Sequence, residues 1–446
     1  MPARHWIKFW NFTKNPFFTT PLMYNDQHFY ELFTKTKIVE KIEPIFLDNI
    51  ESSHLKKLVI LGGRGSGKST IINHLYLRFY NLKKRAKKDP KYSNYLSILP
   101  VFIEITEIAS FDNEKLLSDA LCNEILRGLN KSLKDEIINP NRDATHHFEK
   151  SIDRCKNNCA NKYHCIEDII SKLIDDGYFS SIIIFIDNLD KATDDELIEN
   201  WLSHAQGFFE GVLWRNNVHT VIVGGGLFID KSYKDEYGWF FDDTFKIAIW
   251  EYSDIKDFID KRLKYRTNLG DSYNLDKYIE GPALEEIFQR CLGHPRTCQS
   301  ALKKAMEIAA KKDVKPINQA FVLSNKSIFE GVLGVNEKEI KNAYIEHLKS
   351  HVMYGTGFSR IVRLLNSSKV YTPTLIKDLM IMYRTNNFAK VNKQNDLKEY
   401  SIVELKTKKN EYWLDKDVYR VMQDILYYHC DGDEKKLEVF LSDLAR

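Results

Sequence analysis

The chain has 446 residues, 43% hydrophobic and 28% charged, with 65 Lys and Arg against 62 Asp and Glu. That length supports two or three globular domains, and a net charge of only +3 carries no global polyanion signal. No apolar run reaches the roughly 20 residues that cross a bilayer. Seven cysteines, an odd number in a large charged chain, point to reduced thiols and a cytoplasmic setting.

Residues 1–40 read as an aromatic arm, with Trp6, Phe9, Trp10, Phe12, Phe17 and Phe18. It has no continuous apolar core and is not a signal peptide. Helical spacing runs from about Tyr30 to Phe46. LVILGGRGSGKST follows, from Leu58 to Thr70. It fits G-x-x-x-x-G-K-[ST], with an apolar strand leading in and an amphipathic helix, about Ser69 to Tyr80, leading out. Glycines in such a turn aim successive backbone N–H groups inward as an anion nest. The helix N-terminus adds partial positive charge. Gly62, Gly63, Arg64, Gly65, Ser66, Gly67, Lys68, Ser69 and Thr70 are therefore the expected nucleotide-binding residues. Lys68 would reach the β- and γ-phosphates of ATP, and the Ser69 hydroxyl would hold Mg²⁺. The basic stretch Lys83, Lys84, Arg85, Lys87 and Lys88 reads as a solvated helix end, cations there complementing the dipole.

A second strand is expected over Ile98 to Ile105, then a helix over about Glu114 to Leu133. Residues 138–164 look like an insertion. Cys155, Cys159, His164 and Cys165 are zinc-ligand types, and a metal could hold a segment with little core of its own. The spacing is not that of a standard knuckle, and a polar loop with incidental thiols is the other reading. After a helix at about Glu167 to Asp176, SIIIFID reads as a strand buried on both faces. Its terminal Asp187 would hold Mg²⁺ opposite Ser69. A long helix at about Asp194 to Trp214, a strand at Val218 to Gly226 and a strand at Phe245 to Trp250 complete the alternation. The fold class is α/β: a mostly parallel phosphate-loop sheet with helices on both faces, residues 41–252.

Helical periodicity at 254–266 and 283–311 makes 253–335 a small helical lid containing GHPR, Gly293 to Arg296. In 336–446, helices at about 357–367, 373–382 and 386–398 precede a hairpin over Ile402 to Asp415 with a Lys-rich turn. Helices followed by such a hairpin suggest a winged helix. Between 360 and 420 there are 13 Lys and Arg against 7 Asp and Glu. Lys390, Lys393 and Lys398 on the third helix, with Lys408 and Lys409 on the wing, are candidate duplex-DNA contacts. A wing that docks a protein is the alternative.

NPFF at Asn15 to Phe18, GGRGSGKST, IDNLD and GHPR, in this order with a terminal winged helix, resemble AAA+ ATPases of the origin-recognition type and related STAND-like ATPases. The resemblance implies an ATP- and Mg²⁺-dependent switch that self-associates or engages a partner protein or DNA. It assigns Arg296 to the γ-phosphate as the lid arginine, or Pro295 to the adenine. It also marks departures. Initiator-type members carry Glu where Asn188 stands, so Asp190 becomes the nearest candidate base. Val223 to Gly226 supply no polar sensor, and the segment Lys231 to Phe245, shortly before the fifth strand, contains no Arg. Those departures imply slow hydrolysis.

Overall fold

The computed structural model describes residues 5–18, 20–51, 57–63, 65–105, 114–139, 142–158, 162–187, 212–213, 217–224, 242–247, 250–267, 269, 272–291, 293–329, 357–367, 371–385, 387–405, 412–415, 418–419, 421–422, 425–426, 430 and 433–444. The chain divides into two compact units. One comprises Phe18–Ala248 with Asp260–Tyr265; the other comprises Met1–Phe17, Ile249–Ile259 and Arg266–Arg446.

The first unit is built on five strands: β1 (Lys57–Leu61), β2 (Ile98–Glu104), β3 (Ser181–Asp187), β4 (Val218–Gly224) and β5 (Asp243–Lys246). All neighbouring strands are parallel, in the order β2-β3-β4-β1-β5. Every residue of β3 and β4 is buried. That explains why Ile182 to Ile186 and Val221 to Val223 read as unbroken apolar runs: a parallel strand covered on both faces needs no polar alternation. β4 lies between β1 and β3, so the strand that feeds the phosphate loop and the strand that ends in Asp187 are not neighbours. The fifth strand is Asp243–Lys246, starting earlier than the expected Phe245 to Trp250, and Ile247 N still donates to Leu61 O at 2.7 Å; residues 248 and 249 lie outside the described residues.

Helices pack this sheet by their apolar stripes. Lys37–Glu51 buries Val39, Ile42, Phe46 and Ile50. Lys68–Ala86 buries Ile72, Leu75, Phe79 and Leu82. Burying each such side chain contributes on the order of 1.5–3 kcal/mol. Glu114–Lys134 lies close on β2 because Gly128 lacks a side chain; a Cβ there would sit 2.9 Å from Val101 Cγ1.

The described residues of 138–164 are largely helical and contribute Ile138, Ala144, Phe148, Ile152 and Cys155 to this core, in place of a polar loop. Helix Arg142–Asn158 buries Ala144, Phe148, Ile152 and Cys155 on one stripe, and helix Lys162–Asp175 buries Ile166, Ile169, Ile170 and Leu173. The expected helix at 194–214 lies outside the described residues, apart from Val212 and Leu213.

Lys83 overturns the solvated reading of its basic stretch. Lys84, Arg85, Lys87 and Lys88 are exposed, but Lys83 is 0% exposed. Its ammonium donates to Tyr95 O (2.9 Å), Leu96 O (3.0 Å) and Ile98 O (2.6 Å). Tyr95 and Leu96 lie in the last turn of the 3-10 helix Pro90–Ser97, and Ile98 opens β2; Tyr95 O also accepts from Ile98 N, so the ammonium adds to the capping of this helix end. Burial, aided by Lys87, pushes the ammonium down to about 7.

In the second unit, residues of the aromatic arm pack onto the helical segment. Trp10 is fully buried and its Nε1 donates to Met306 O at 3.0 Å. Phe12 stacks on Tyr278 with centroids 5.5 Å apart. Helix Tyr252–Arg266 begins in this unit, and helices Gly281–Arg290 and Pro295–Lys312 follow. His294 caps the latter: its Nδ1 accepts from Thr297 N at 3.3 Å, and Pro295 fills the first turn where no donor is needed.

The C-terminal segment has its own core, including Ile361, Leu364, Leu379, Met382, Leu397, Ile402, Leu414 and Leu441. Helices Gly357–Asn366 and Thr372–Thr385 precede antiparallel strands β6 (Val403–Leu405) and β7 (Tyr412–Leu414), and helix Glu434–Leu444 follows. The third helix is not the continuous 386–398 of the sequence reading. A 3-10 turn, Phe388–Lys390, and a short helix, Gln394–Glu399, replace it. The cause is Asp378, 0% exposed. Its carboxylate accepts from Asn392 N (3.1 Å), Asn392 Nδ2 (3.1 Å) and Lys393 N (2.8 Å), holding two amides that a continuous helix would turn inward.

Candidate nucleotide site

The phosphate loop starts where β1 ends. Gly62 N donates to Gly224 O at 3.3 Å, so the end of β4 fixes the first loop residue through backbone rather than through a polar side chain. Gly65 (φ 90°) and Gly67 (φ 104°) occupy the left-handed region, where a side chain would be strained. Ser66 N donates to Gly63 O at 3.2 Å, and Ile71 N to Gly67 O at 3.1 Å as the helix begins. Gly62 is needed for space: a Cβ there would lie 2.7 Å from Ser66 Oγ and 3.2 Å from Ile247 Cβ.

Lys68 is buried at the helix start. Its Nζ donates to Gly62 O (2.7 Å) and Gly63 O (3.1 Å), folding the ammonium back across the loop's opening residues. Ser69 Oγ donates to Asp187 Oδ1 at 2.9 Å, although 118 residues separate them. The carboxyl ends of β1 and β3 thus bring together a cation, a hydroxyl and a carboxylate. Asp187 is 0% exposed, and a carboxylate that deep is stable when it meets hydrogen bonds or a cation. Hard oxygen donors of this kind suit Mg²⁺, so Ser69 and Asp187 fit the metal and Lys68 with the loop amides fits the phosphates.

The sequence reading missed Asn73, one helical turn beyond Ser69 and fully buried. Its Nδ2 donates to Ser69 O (2.7 Å) and its Oδ1 accepts from Tyr24 N (2.9 Å). The only signal in the sequence is a polar residue inside an apolar helical stripe. Glu104, the last residue of β2, was also passed over. It lines a cavity of about 380 Å³ with Met23, Tyr24, Asn25, Gly128 and Lys131.

Thr70 lies in the first helical turn, half-buried. Pro295 and Arg296 lie in the first turn of their helix in the other unit, Pro295 buried and Arg296 half-buried. Arg64, Asn188 and Asp190 lie outside the described residues, as do Cys159, Lys408 and Lys409.

The zinc expectation is not supported. Among the described residues no group of three or more His, Cys, Asp or Glu could hold a metal. Cys165 is disulfide-bonded, which removes a thiolate ligand and also departs from the all-reduced reading. Cys155 is buried, its thiol pushed up by burial, with Sγ 3.8 Å from Lys162 O. His164 is exposed and pairs with Glu167 at 3.5 Å.

The candidate DNA lysines are partly engaged within their own segment. Lys393 Nζ lies 3.5 Å from the Tyr371 ring centroid, and Lys398 Nζ lies 4.2 Å from that of Tyr412. Lys390 is exposed.

No protein-family model and no curated protein sequence matches the chain. Solved structures resemble it at low identity. They include ORC2 of Aeropyrum pernix in ADPNP–ADP complexes, with 11% identity, a TM-score of 0.43, and coverage of 97% of this chain and 99% of that one. ORC1 of Aeropyrum pernix in complex with DNA gives 10%, 0.39, 91% and 95%. The Thermotoga maritima RuvB Holliday junction branch migration motor gives 13%, 0.35, 88% and 95%. At these scores the likeness adds no weight to the functional reading. The sheet order and the loop geometry carry the fold. The chain has a parallel phosphate-loop α/β fold. Among the described residues, no helix is long and apolar enough to cross a membrane.

Proposed function

We propose that this chain is an ATP- and Mg²⁺-dependent molecular switch of the AAA+ or STAND type, with slow hydrolysis. The observation that carries the reading is the Ser69 Oγ–Asp187 Oδ1 hydrogen bond of 2.9 Å beside the loop-folded Lys68. Ser69 and Asp187 would hold the metal, and Lys68 with the amides of Gly65 and Gly67 would hold the phosphates. Bound Mg²⁺ would neutralise charge on the β- and γ-phosphates. Arg296 and Pro295 take their lid roles from the resemblance alone. Nucleotide state would be coupled to self-association and to engagement of duplex DNA by the helices and hairpin of 357–444, in a winged-helix arrangement.

The test is calorimetry of the full chain. ATP with Mg²⁺ should bind, and Lys68→Ala should abolish binding while the far-ultraviolet spectrum stays unchanged. Equal affinity in the variant would remove the site assignment. A second reading, a STAND-like signalling or scaffold ATPase that recognises a protein, is favoured by Lys393 and Lys398 lying over rings of their own segment. Salt-dependent duplex binding separates the two readings.

A further inference from the structure

We propose that Glu104 is the catalytic base of this site, the carboxylate that accepts the proton of the water attacking the γ-phosphate. The inference rests on the nucleotide reading above. It begins from an absence in the sequence: the residue after Asp187 is Asn188, an amide, and an amide cannot take a proton at neutral pH. Asp190, the next acid along the chain, lies outside the described residues; a second carboxylate is placed by the sheet itself.

Topology supplies one. In the parallel ladder of β2 and β3, Glu104 is the register partner of Asp187, and both are the last residues of their strands. Ile105 N donates to Asp187 O at 3.2 Å, so the ladder stays paired to its end. Adjacent strands lie roughly 4.8 Å apart and register partners project from the same face. That face is identified by the residues two positions earlier. Phe102 and Phe185 are also register partners, and both meet Tyr76 of the phosphate-loop helix, at 5.1 and 5.4 Å. Asp187 meets Ser69 of the same helix. Glu104 therefore stands on the face that carries the metal carboxylate, one strand further out.

Access separates the two acids. Asp187 is 0% exposed. Glu104 is half-buried and lines the cavity of about 380 Å³ at this edge of the sheet, large enough for several waters at roughly 30 Å³ each. The wall of that cavity includes Tyr24, whose amide is joined through Asn73 to Ser69. Among the strand-terminal residues of the five-stranded sheet, Leu61, Glu104, Asp187, Gly224 and Lys246, these are the two carboxylates. One is buried and bonded to the metal-binding hydroxyl; the other faces water.

The water oxygen forms a bond to Pγ. The bond from Pγ to the β–γ bridging oxygen breaks, and its electron pair leaves with ADP. The water proton passes to the Glu104 carboxylate, which later releases it to solvent.

The test is Glu104→Gln in the full chain. Calorimetry with ATP and Mg²⁺ should give an affinity within about twofold of the parent. Phosphate release over hours should fall at least about 10²-fold, the lower range for losing a general base. A readout apart from turnover is the identity of the bound nucleotide. After incubation with ATP and removal of free nucleotide, acid extracts of the variant should hold ATP where the parent holds ADP. Glu104→Asp should recover part of the rate. The proposal is overturned if Glu104→Gln hydrolyses within about threefold of the parent. It is also overturned if Asp190→Asn abolishes turnover while Glu104→Gln retains it. A parent chain that binds ATP and releases no phosphate overturns this proposal and leaves the nucleotide reading standing; a parent that binds no ATP overturns both.

Discussion

Replacing Asp378 by Ala should unlock the segment that carries Lys390, Lys393 and Lys398. The carboxylate is 0% exposed and makes three hydrogen bonds, two to backbone amides 14 and 15 residues downstream. Hydrogen bonds to a charged group contribute about 1.5–3 kcal/mol each. The low end applies here, because all three are part-buried and water can replace some of what is lost. Three such bonds give a local loss of about 3–5 kcal/mol. A 1.4 kcal/mol change is about tenfold in an equilibrium, so opening of residues 387–400 should become about 10²-fold or more easier. Hydrogen exchange followed by mass spectrometry on the full chain reads this directly. Peptides across 387–400 should exchange about 10²-fold faster, while those from β1 and β3 should not change. Asp378→Asn keeps one acceptor oxygen and should fall between. Unchanged protection of Asn392 and Lys393 in Asp378→Ala would refute the claim that this carboxylate breaks the third helix.

Other perturbations test other parts. Gly62→Ala places a methyl group 2.7 Å from Ser66 Oγ; overpacking of this kind costs about 1–3 kcal/mol, so the melting temperature and ATP affinity should both fall, and a neutral variant would show that the loop relaxes freely. Turnover of the purified chain should stay below about 10 s⁻¹, the middle of the usual enzymatic range, and a faster steady-state rate without a partner would contradict the switch reading. His219 is buried in β4 and desolvation lowers it to about 4, against 6.5 for the unfolded state. Between those values the unfolded chain binds a proton that the folded chain does not. Stability is therefore full above about 6.5 and falls by about 3 kcal/mol as pH drops to about 4; His219→Leu should flatten that slope in pH-dependent melting. For duplex binding, removing Lys390 and Lys393 together should lower the salt slope by about two units, and an unchanged slope would take these lysines out of any phosphate contact.

The phosphate loop was legible because its chemistry is local. Thirteen consecutive residues, Leu58 to Thr70, carry the strand, the positive-φ glycines, the cation and the hydroxyl. β3 was legible because burial on both faces leaves an apolar run that ends abruptly in Asp187. What stayed hidden depends on partners distant in sequence. Lys83 looks like any surface cation until the three carbonyls at Tyr95, Leu96 and Ile98 are placed around it. The break in the third C-terminal helix is set by Asp378, an ordinary helical acid when read in isolation. In 142–158 the stripe of Ala144, Phe148, Ile152 and Cys155 is sparse within a polar segment, and the neighbouring thiols and histidines carry a metal-ligand pattern of their own. Glu104 was overlooked because only strand register puts it beside Asp187.

Asn73 has one further consequence. A single amide spans the carbonyl of Ser69 and the amide nitrogen of Tyr24, residues 45 positions apart by 69 − 24. The first turn of the phosphate helix is thereby tethered to the turn at Tyr24. Tyr24 in turn lies 4.5 Å from Tyr76 and 5.3 Å from Phe102, centroid to centroid. A shift of Ser69 toward an ion would therefore press on that aromatic cluster, and tyrosine fluorescence would report it.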